Sequence, residues 1–348
     1  MTTTIETGRA LATVETIGEI APIPGADAIV RARVRGWDVV VRIGEFEAGD
    51  RCVYFEIDSL LDVEDPRFAF LAPRGVQAQA DGRSGHVLKT ARLRGQYSQG
   101  LALPVDLFPE LDSAAVGDDV TARLGIVRWE QPTPDELAGA VRGPMPEWIP
   151  TTSEVRIQNV AGLLAVDADW RATEKADGVS VSVYVDPEAS VRGVCSREWD
   201  YLDVDGNPLW ALARQYQVHD LIAETWPGQR AAVQGEMIGE GIRRNPLRLK
   251  GKHLRLFTVR VDRHELPRGQ WPAWAVDLSV PVLDLPFPRT VEEALAGVEG
   301  LTSALAARPA EGVVWRAADR ELATLSDGSM SRASFKVISN RYLLKNDR

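Results

Sequence analysis

Cysteine is almost absent from this sequence. Its two cysteines, Cys52 and Cys195, lack the spacing of a metal site, which argues against a disulfide framework and favours a reduced, cytoplasmic protein. No apolar run approaches the ~20 residues that a membrane helix needs, so we expect no membrane association. The first residues are polar and include Glu6 and Arg9, so they are not expected to form a signal peptide.

Lysine is scarce as well. A guanidinium group cannot deprotonate to become a nucleophile, so a chain that uses arginine for surface charge keeps lysine for positions that need an amine. One lysine, Lys175, begins the segment Lys-Ala-Asp-Gly, which ends at Gly178 directly before an apolar alternation from Val179 to Tyr184. Read alone, this segment fits a catalytic amine or a solvated lysine at a strand edge. The sequence contains six lysines: Lys89, Lys175, Lys250, Lys252, Lys336 and Lys345.

The formal net charge of -10 argues against a uniformly positive surface for nucleic acid. Positive charge is instead concentrated in two places. One is the cluster of Lys89, Arg92 and Arg94. The other runs from Arg243, Arg244 and Arg248 to Arg260, with no acidic residue inside it. Each cluster fits a nucleic-acid-binding groove and a solvated surface equally well.

The length of 348 residues, with 45% hydrophobic and 26% charged residues, fits two globular domains. Up to about Pro104, short alternating segments separated by turns predict a small closed β-barrel, and an OB fold over residues 1–125 fits best. The segment from Leu93 to Leu101 resembles the Arg-Gly-x-x-Ser-x-Gly segment of tRNA-binding OB domains. A glycine-rich β-turn without a ligand is the alternative interpretation.

Residues 126–150 carry five prolines among small and acidic residues, a composition that predicts a linker. The second domain, residues 151–348, is predicted to be α+β. Thr151 and Glu154 have the spacing of a capping box, so a helix is expected directly after them. Two further helices are expected at Leu209–Thr225 and Val291–Ala307. Strands are predicted at Val179–Val185, Ala231–Ile238, Leu254–Val261, Gly312–Arg316 and Ser334–Ile338.

Five further short segments follow Lys175 in the second domain. In order they are Ser196-Arg197-Glu198, Gly235-Glu236-Met237-Ile238-Gly239, Leu256-Phe257-Thr258-Val259, Glu311-Gly312-Val313-Val314 and Ser334-Phe335-Lys336-Val337-Ile338. Each segment alone is a weak signal. The series in this order resembles the nucleotidyltransferase motifs of the covalent ligase and mRNA-capping superfamily, whose domain is built on antiparallel sheets with flanking helices.

The order of the two domains indicates which group of this superfamily the chain resembles. DNA ligases and capping enzymes of this superfamily carry an OB domain after the last lysine motif, whereas here the predicted barrel precedes the first. The N-terminal barrel, the lead-in from Thr151 to Asn159 and the terminal segment from Phe335 to Tyr342 resemble the Deinococcus-type ATP-dependent RNA ligases over essentially the whole chain. This resemblance implies sealing of 3′-OH and 5′-phosphate ends through lysyl-AMP and an adenylylated 5′ end.

The nucleophile and the metal site can be argued from chemistry and compared with the family. Lys175 would attack the α-phosphorus of ATP, and a neighbouring cation would lower the pKa of its amine. A divalent metal, Mg²⁺ or Mn²⁺, supplies that charge. The resemblance assigns the metal-side carboxylate to Glu311, which otherwise reads as a solvated acid.

The remaining site residues are expected around the nucleotide. Glu236 would accept from the ribose hydroxyls or is a turn glutamate, and Phe257 would stack on the purine or is a core aromatic. Arg197 would bind a phosphate or the 3′ end, or form a salt bridge, and Lys336 would hold the α-phosphate. The resemblance assigns Glu174 to the adenine amino group and includes Gly178 in the nucleotide site.

One departure from the family is visible in the last motif. Many relatives carry a second lysine two residues after the first, where this chain has Ile338. Lys345 or Arg341 is a candidate for the missing charge.

The expected substrate is a nicked RNA duplex or RNA/DNA hybrid with a ribonucleotide 3′-OH strand, bound by a monomer. Lys89, Arg92, Arg94, Arg243 and Arg244 are the candidate nucleic-acid contacts. A DNA ligase, a GTP-using capping-type transferase and a non-catalytic RNA-binding protein remain alternatives.

Overall fold

The computed structural model describes residues 10–79, 81–129, 140–318, 322–325 and 330–346. The chain divides into two compact units, the first ending at residue 133 and the second spanning residues 134–346. No helix within the described ranges is long and apolar enough to cross a membrane. The signal-peptide prediction, apart from Ala10, and residues 130–139 of the predicted linker lie outside these ranges.

The first unit is built from short strands. A five-stranded sheet has the order β10-β4-β1-β2-β3, and a four-stranded sheet has the order β11-β5-β7-β6. The strands are β1 (Ala12–Pro22), β2 (Ile29–Val34), β3 (Trp37–Arg42), β4 (Arg51–Phe55), β5 (Ser59–Leu61), β6 (Gln77–Ala78), β7 (Ser84–Val87), β8 (Ala91–Leu93), β9 (Gln96–Ser98), β10 (Leu101–Pro104) and β11 (Val127–Arg128).

The long first strand organises this unit because it pairs with β4 through its first half and with β2 through its second half. The register shifts between Ile17 and Ile20, and such a bulge bends a strand.

The first unit differs from the predicted closed barrel in the contact between its two edge strands. Among the described residues the edge strands β3 and β10 are not joined by a ladder; the Gln99 amide donates to Asp38 O at 2.8 Å, and the Val40 amide donates to Ser98 Oγ at 3.0 Å.

The second unit contains two main antiparallel sheets, a seven-stranded one of order β12-β16-β15-β14-β17-β18-β19 and a four-stranded one of order β20-β13-β21-β24. Its strands are β12 (Val141–Pro144), β13 (Trp170–Lys175), β14 (Val179–Asp186), β15 (Val191–Cys195), β16 (Trp199–Tyr201), β17 (Ala231–Gly239), β18 (Lys252–Val261), β19 (His264–Glu265), β20 (Val282–Leu283), β21 (Gly312–Ala317), β22 (Leu322–Thr324), β23 (Met330–Arg332) and β24 (Ser334–Ile338). Its helices are α1 (Pro208–Gln215), α2 (Val218–Thr225), α3 (Ala273–Asp277), α4 (Val291–Val298) and α5 (Asn340–Asn346).

Each sheet of the second unit has its own core. The valines of β14 alternate onto one face, where Val181 and Val183 pack with residues of α1, α2 and α3. The other face carries the polar partners of that alternation, among them Ser180 and Ser182. The four-stranded sheet packs one face against α4, and Trp315 lies in that core. The face of β14 opposite the helices is therefore left for polar chemistry.

Both long helices predicted in this unit are shorter in the structure. The predicted helix at Leu209–Thr225 is two helices, because Gln217 adopts a left-handed conformation with φ of 52° between them. The predicted helix at Val291–Ala307 ends at Val298. These are corrections to the helix boundaries, because the apolar spacing typical of a helix continues in the sequence beyond the residues where the helical backbone ends.

The capping box predicted at Thr151 is wrong. No α-helix follows it; the Ile157–Asn159 segment is a short 3₁₀ turn, and the Glu154 carboxylate accepts from Arg316 and Ser334 instead of capping a helix. Two strands, Val127–Arg128 and Val141–Pro144, lie within the range predicted as linker and pair with the sheets of the first and second unit, respectively. The domain boundaries themselves stay a prediction.

Candidate active site

Lys175 lies at the end of β13, where the four-stranded sheet places it beside Glu311. The register pairs Lys175 with Gly312, so the residue before Gly312 lies next to the lysine. Lys175 Nζ donates to Glu311 Oε2 at 2.7 Å. The two side chains are 23% and 11% exposed, so this ion pair is largely shielded from water. The structure thus brings together the predicted nucleophile and the predicted metal-side carboxylate.

The charges around this ion pair shift the pKa of each member. Burial favours the neutral amine, but attraction to Glu311 and Glu236 outweighs it, so the pKa of Lys175 is raised. Burial raises the pKa of Glu236 to about 7, with Lys175 opposing the rise and Glu311 adding to it. Burial also raises the pKa of Glu311 against the attraction of Lys175. Without a nucleotide the amine is therefore held protonated.

The turn after the nucleophile is fixed from two sides. A side chain at Gly178 would bring a Cβ atom to 2.1 Å from Met237 O, so only glycine lets this turn approach β17. Tyr342 Oη, on α5, donates to Asp177 Oδ2 at 2.8 Å. Asp177 therefore holds the C-terminal helix against the turn. The sequence alone does not indicate this contact, because the tyrosine lies 165 residues away.

Glu236 lies on the polar face of the seven-stranded sheet, and Arg197 lies in a turn between two of its strands. Glu236 pairs with Ser180 on β14, and Ser180 and Ser182 alternate away from the valine core. Arg197 lies in the turn between β15 and β16 and is half-buried. Among the described residues Arg197 forms no ion pair, which leaves its guanidinium available to a ligand.

Lys336 lies on the same face of the four-stranded sheet as Lys175. It pairs with Val314, which pairs with Thr173, two residues before the nucleophile. Residues opposite each other or two apart share a face, which places both lysines together. The Lys336 amide donates to Val155 O at 2.8 Å, so the segment before Ile157 borders β24.

The position of the second lysine of the motif is occupied by Ile338, which pairs with Gly312 in the row of Lys175 and is 6% exposed. Lys345 lies in the last turn of α5 and is exposed, as is Arg341. Neither contacts the Lys175 and Glu311 pair in the described structure. A replacement by Lys345 stays a prediction.

Phe257 lies half-buried on β18 beside a small apolar cluster formed by Ala176, Ile238 and Val280, to which Leu305 also contributes. The sequence left open whether this ring stacks on a ligand or fills a core. It is only partly covered and borders the residue that follows the nucleophile. An apolar, partly open cluster beside Lys175 is a suitable surface for a purine ring.

Recognition of adenine by the Glu174 carboxylate stays a prediction, and the structure gives this carboxylate protein partners. Successive residues of a strand point to opposite faces, so Glu174 faces away from Lys175. It is 2% exposed, and its two carboxylate oxygens accept from Ser303 Oγ and from the Ala304 amide, the latter at 2.8 Å. Glu174 thus anchors the segment that leads to Leu305, beside Phe257.

A buried ionic network missed by the sequence analysis links the two sheets. Arg316 on β21 donates to Glu154, to Glu265 on β19 and to Phe257 O at 2.8 Å. Ser334 Oγ donates to the other Glu154 oxygen. Burial alone would raise the pKa of Glu154, but Arg316, Arg332 and the Ser334 hydroxyl outweigh it and lower the pKa to about 2. The spacing of these residues in the sequence carries no signal of this contact.

The candidate nucleic-acid contacts of the OB fold form a separate group in the first unit. Arg92 packs over the ring of Tyr97 at 5.5 Å and donates to Gly95 O, Lys89 Nζ lies 5.9 Å from the Trp129 ring, and Arg94 is exposed. Cations beside aromatic rings are typical of surfaces that bind single-stranded nucleic acid.

Ser98 and Gly100 have structural roles in the same unit. The Ser98 hydroxyl accepts from β3, and a Cβ atom at Gly100 would lie 2.6 Å from Phe55 O. These two residues of the Arg-Gly-x-x-Ser-x-Gly segment are thus explained without a ligand.

The remaining candidates for nucleic-acid binding follow β17. Arg243 Nε donates to Gly178 O at 2.6 Å and lies 3.4 Å from Asp177 Oδ1. Arg244 is exposed beside it. Arg243 is therefore part of the surroundings of the nucleophile as well as of the basic segment.

No group of three or more His, Cys, Asp or Glu residues is close enough, within the described ranges, to form a complete metal site. The carboxylates that act on Lys175 are those of Glu311, Glu236 and Asp177. Magnesium and manganese are hard cations that keep several waters and need only one or two carboxylates when a phosphate shares the ion. These carboxylates are therefore sufficient to bind such an ion together with phosphate and water, and a complete set of protein ligands is not required.

A shielded lysine at a strand end, paired with a carboxylate and followed by a second lysine on the same sheet face, defines the site of a covalent nucleotidyltransferase. Comparison with known proteins places the chain more closely. An OB-fold domain model matches residues 11–105, and an RNA ligase model matches residues 168–338. No curated protein matches the chain.

Solved structures of the Naegleria gruberi RNA ligase are similar over nearly the whole chain. An alanine variant with AMP and Mn has a TM-score of 0.85 at 38% identity, covering 97% of this chain and 99% of the other. The form with PPi has a TM-score of 0.84 at 38% identity, covering 98% and 100%. Another alanine variant, with ATP and Mn, has a TM-score of 0.83 at 38% identity, covering 97% and 99%. The chain belongs to the RNA ligase family, and the predicted OB fold and ligase domain are confirmed.

Proposed function

We propose that this RNA ligase uses ATP to seal 3′-OH and 5′-phosphate ends of RNA, through lysyl-AMP and an adenylylated 5′ end. The observation that carries the proposal is the shielded pair of Lys175 and Glu311, with Nζ and Oε2 2.7 Å apart. Structures of the Naegleria gruberi RNA ligase with ATP and Mn, at 38% identity, support the nucleotide and the metal.

In the first step Lys175 Nζ attacks the α-phosphorus of ATP. Nζ loses its proton to solvent, and a neighbouring cation favours this loss by lowering the pKa of the amine. The new N–P bond forms as the bond to pyrophosphate breaks. Lys336, on the same sheet face, compensates the charge that develops on the α-phosphate oxygens.

The nucleotide is oriented by residues of both sheets. Phe257 stacks on the adenine, and Glu236 accepts from the ribose hydroxyls. Glu311 would hold a divalent cation, which supplies positive charge that favours the unprotonated amine and neutralises phosphate oxygens. Glu174 acts indirectly, by holding the Ser303 segment beside Phe257.

In the later steps an oxygen of the RNA 5′-phosphate attacks the phosphorus of lysyl-AMP. The N–P bond breaks and its electron pair returns to Nζ, which takes up a proton. The 3′-OH of the other strand then attacks the 5′-phosphorus and releases AMP. Arg197, which has no ion pair among the described residues, binds a phosphate or the 3′ end in these steps.

The proposed substrate is a nick in a duplex whose 3′-OH strand ends in a ribonucleotide. Lys89, Arg92 and Arg94 of the OB-fold unit supply contacts to the RNA backbone, where phosphate contacts position a duplex without reading its sequence. We propose further that the protein acts as a monomer in the cytoplasm.

Labelled ATP tests the first step. Wild-type protein incubated with ATP labelled at the α-phosphate and a divalent cation is expected to retain the label covalently, and Lys175→Ala to retain none. Lys252→Ala is the matched control, because that lysine is also half-buried but lies on β18 and does not contact Glu311. Full labelling of Lys175→Ala, or none of wild type, contradicts the mechanism.

Nicked duplexes that differ only in sugar type test the substrate. Sealing is expected with ribose at the 3′-OH end and to fail with deoxyribose there. Equal sealing of both would identify a ligase without the proposed sugar selectivity. GTP in place of ATP is expected to give no covalent nucleotide.

A further inference from the structure

Arg243 is joined to the turn that follows the nucleophile. Its Nε donates to Gly178 O at 2.6 Å and lies 3.4 Å from Asp177 Oδ1. The arginine backbone is left-handed, with φ of 46°, a conformation that costs a residue with a Cβ atom on the order of 1 kcal/mol. The contact with Gly178 accompanies this conformation and fixes the direction of the guanidinium.

The outer half of the same guanidinium is available for a ligand. The Arg243 side chain is 59% exposed, and within the described ranges its two Nη groups donate no hydrogen bond. A guanidinium has five N–H donors in a planar fork, so the Nε contact leaves four of them for a second partner. A planar pair of donors matches two oxygens of one phosphate.

The surroundings of Arg243 favour an anion. From residue 241 to residue 261 the chain has no acidic residue, while Arg244, Arg248, Lys250 and Lys252 lie within that segment. Arg243, Arg244, Arg248 and Lys250 are exposed. Exposed positive charge of this density attracts the backbone of a nucleic acid.

The exposure of each group indicates which phosphate arrives here. Lys175 and Glu311 are 23% and 11% exposed, so the reacting pair lies inside, whereas Arg243 lies on the solvent side of the same turn. In the proposed mechanism the ATP phosphates reach the inner Lys175 first. The RNA strand then approaches the lysyl-AMP from the solvent side, where Arg243 lies.

We propose that Arg243 binds a phosphate of the RNA strand beside the nick and transmits its position to the nucleophile turn through Gly178 O. The proposal rests on the ligase function proposed above. Arg243 acts in the transfer of AMP from Lys175 to the RNA 5′-phosphate, where it holds the incoming phosphate and the turn that carries the lysyl-AMP in one geometry.

Separate measurement of the steps tests this assignment. Self-adenylylation is measured without RNA, and AMP transfer is measured by adding a 5′-phosphorylated nick to protein already adenylylated. Arg243→Ala is expected to lose at least about tenfold more in transfer than in self-adenylylation, since charge-assisted hydrogen bonds contribute this much. Labelled protein in the first measurement also shows that the variant folds.

Arg248→Ala is the matched control. Arg248 is exposed, lies in the same basic segment and has φ of 54°, but does not contact the nucleophile turn. It is expected to change transfer at saturating RNA by less than about twofold, since a single exposed phosphate contact changes mainly affinity.

Arg243→Lys separates charge from geometry. One ammonium reaches either Gly178 O or a phosphate, so this variant is expected to recover RNA affinity while transfer at saturating RNA stays below wild type. Equal losses in self-adenylylation and transfer, or a loss confined to self-adenylylation, would overturn the proposal. Absence of labelling in the wild type would refute the ligase function rather than the role of Arg243.

Discussion

Replacement of Glu154 by glutamine removes the anionic centre of the buried network that joins the two sheets. The carboxylate accepts from Arg316 at 2.7 Å and from Ser334, and its side chain is 11% exposed. The glutamine has nearly the same shape but only one acceptor oxygen and no charge. Arg316 stays paired with the Glu265 carboxylate, 3.2 Å away.

The pKa of Glu154 sets the size of the effect. Its fall from 4.5 to about 2 corresponds to about 3 kcal/mol of stability at neutral pH. The folded-state pKa is the lower one, so this stability is present above pH ~4.5 and is lost as the pH falls towards ~2. At pH ~3 the difference between wild type and Glu154→Gln should have fallen to about half.

Urea unfolding of the second unit, followed by tryptophan fluorescence at pH 7 and pH 3, measures this difference. Glu188→Gln is the matched control, because its carboxylate is 81% exposed and 4.0 Å from Arg230, and exposed pairs contribute little. A Glu154→Gln difference that does not change between the two pH values would refute the reasoning.

Two further variants test contacts around the nucleophile. Tyr342→Phe removes the hydrogen bond to Asp177 without opening a cavity. Self-adenylylation should slow about fivefold, in line with about 1 kcal/mol for one hydrogen bond, with the melting temperature within a few degrees; an unchanged rate would show that the turn holds without α5. Glu174→Gln keeps one acceptor for the Ser303 segment, so KM for ATP should rise severalfold with selectivity over GTP retained. Loss of that selectivity would instead support direct recognition of adenine by the Glu174 carboxylate.

The residue types and the order of the motifs predicted much of the site. Lys175 and Glu311 border predicted strands, and Glu236 and Lys336 lie within them, because alternation of apolar and polar residues indicates a strand directly. The order of the motifs and the barrel in front of them were sufficient to indicate an RNA ligase. Local sequence determined the strands and each short motif, because both are properties of neighbouring residues, and the family followed from the resemblance of the whole series.

The same local reasoning failed where one pattern has two outcomes. Thr151 and Glu154 have the spacing of a capping box, yet the carboxylate is used by Arg316. The same spacing at Thr290 and Glu293 does begin a helix, with Thr290 accepting from the Glu293 amide. A carboxylate binds whichever donor folding brings to it, and that donor lies 162 residues away for Glu154.

Tertiary structure alone decided which partners the residues around Lys175 have. The face of Glu174 follows from strand alternation, but its contact with Ser303 does not. The link of Asp177 to Tyr342 and that of Arg243 to Gly178 join residues 165 and 65 positions apart. The sequence determined which chemical groups the chain carries and the strands that hold them. Only packing of the sheets, the last helix and the basic segment determined which groups meet, because long-range contacts leave no periodicity in the chain.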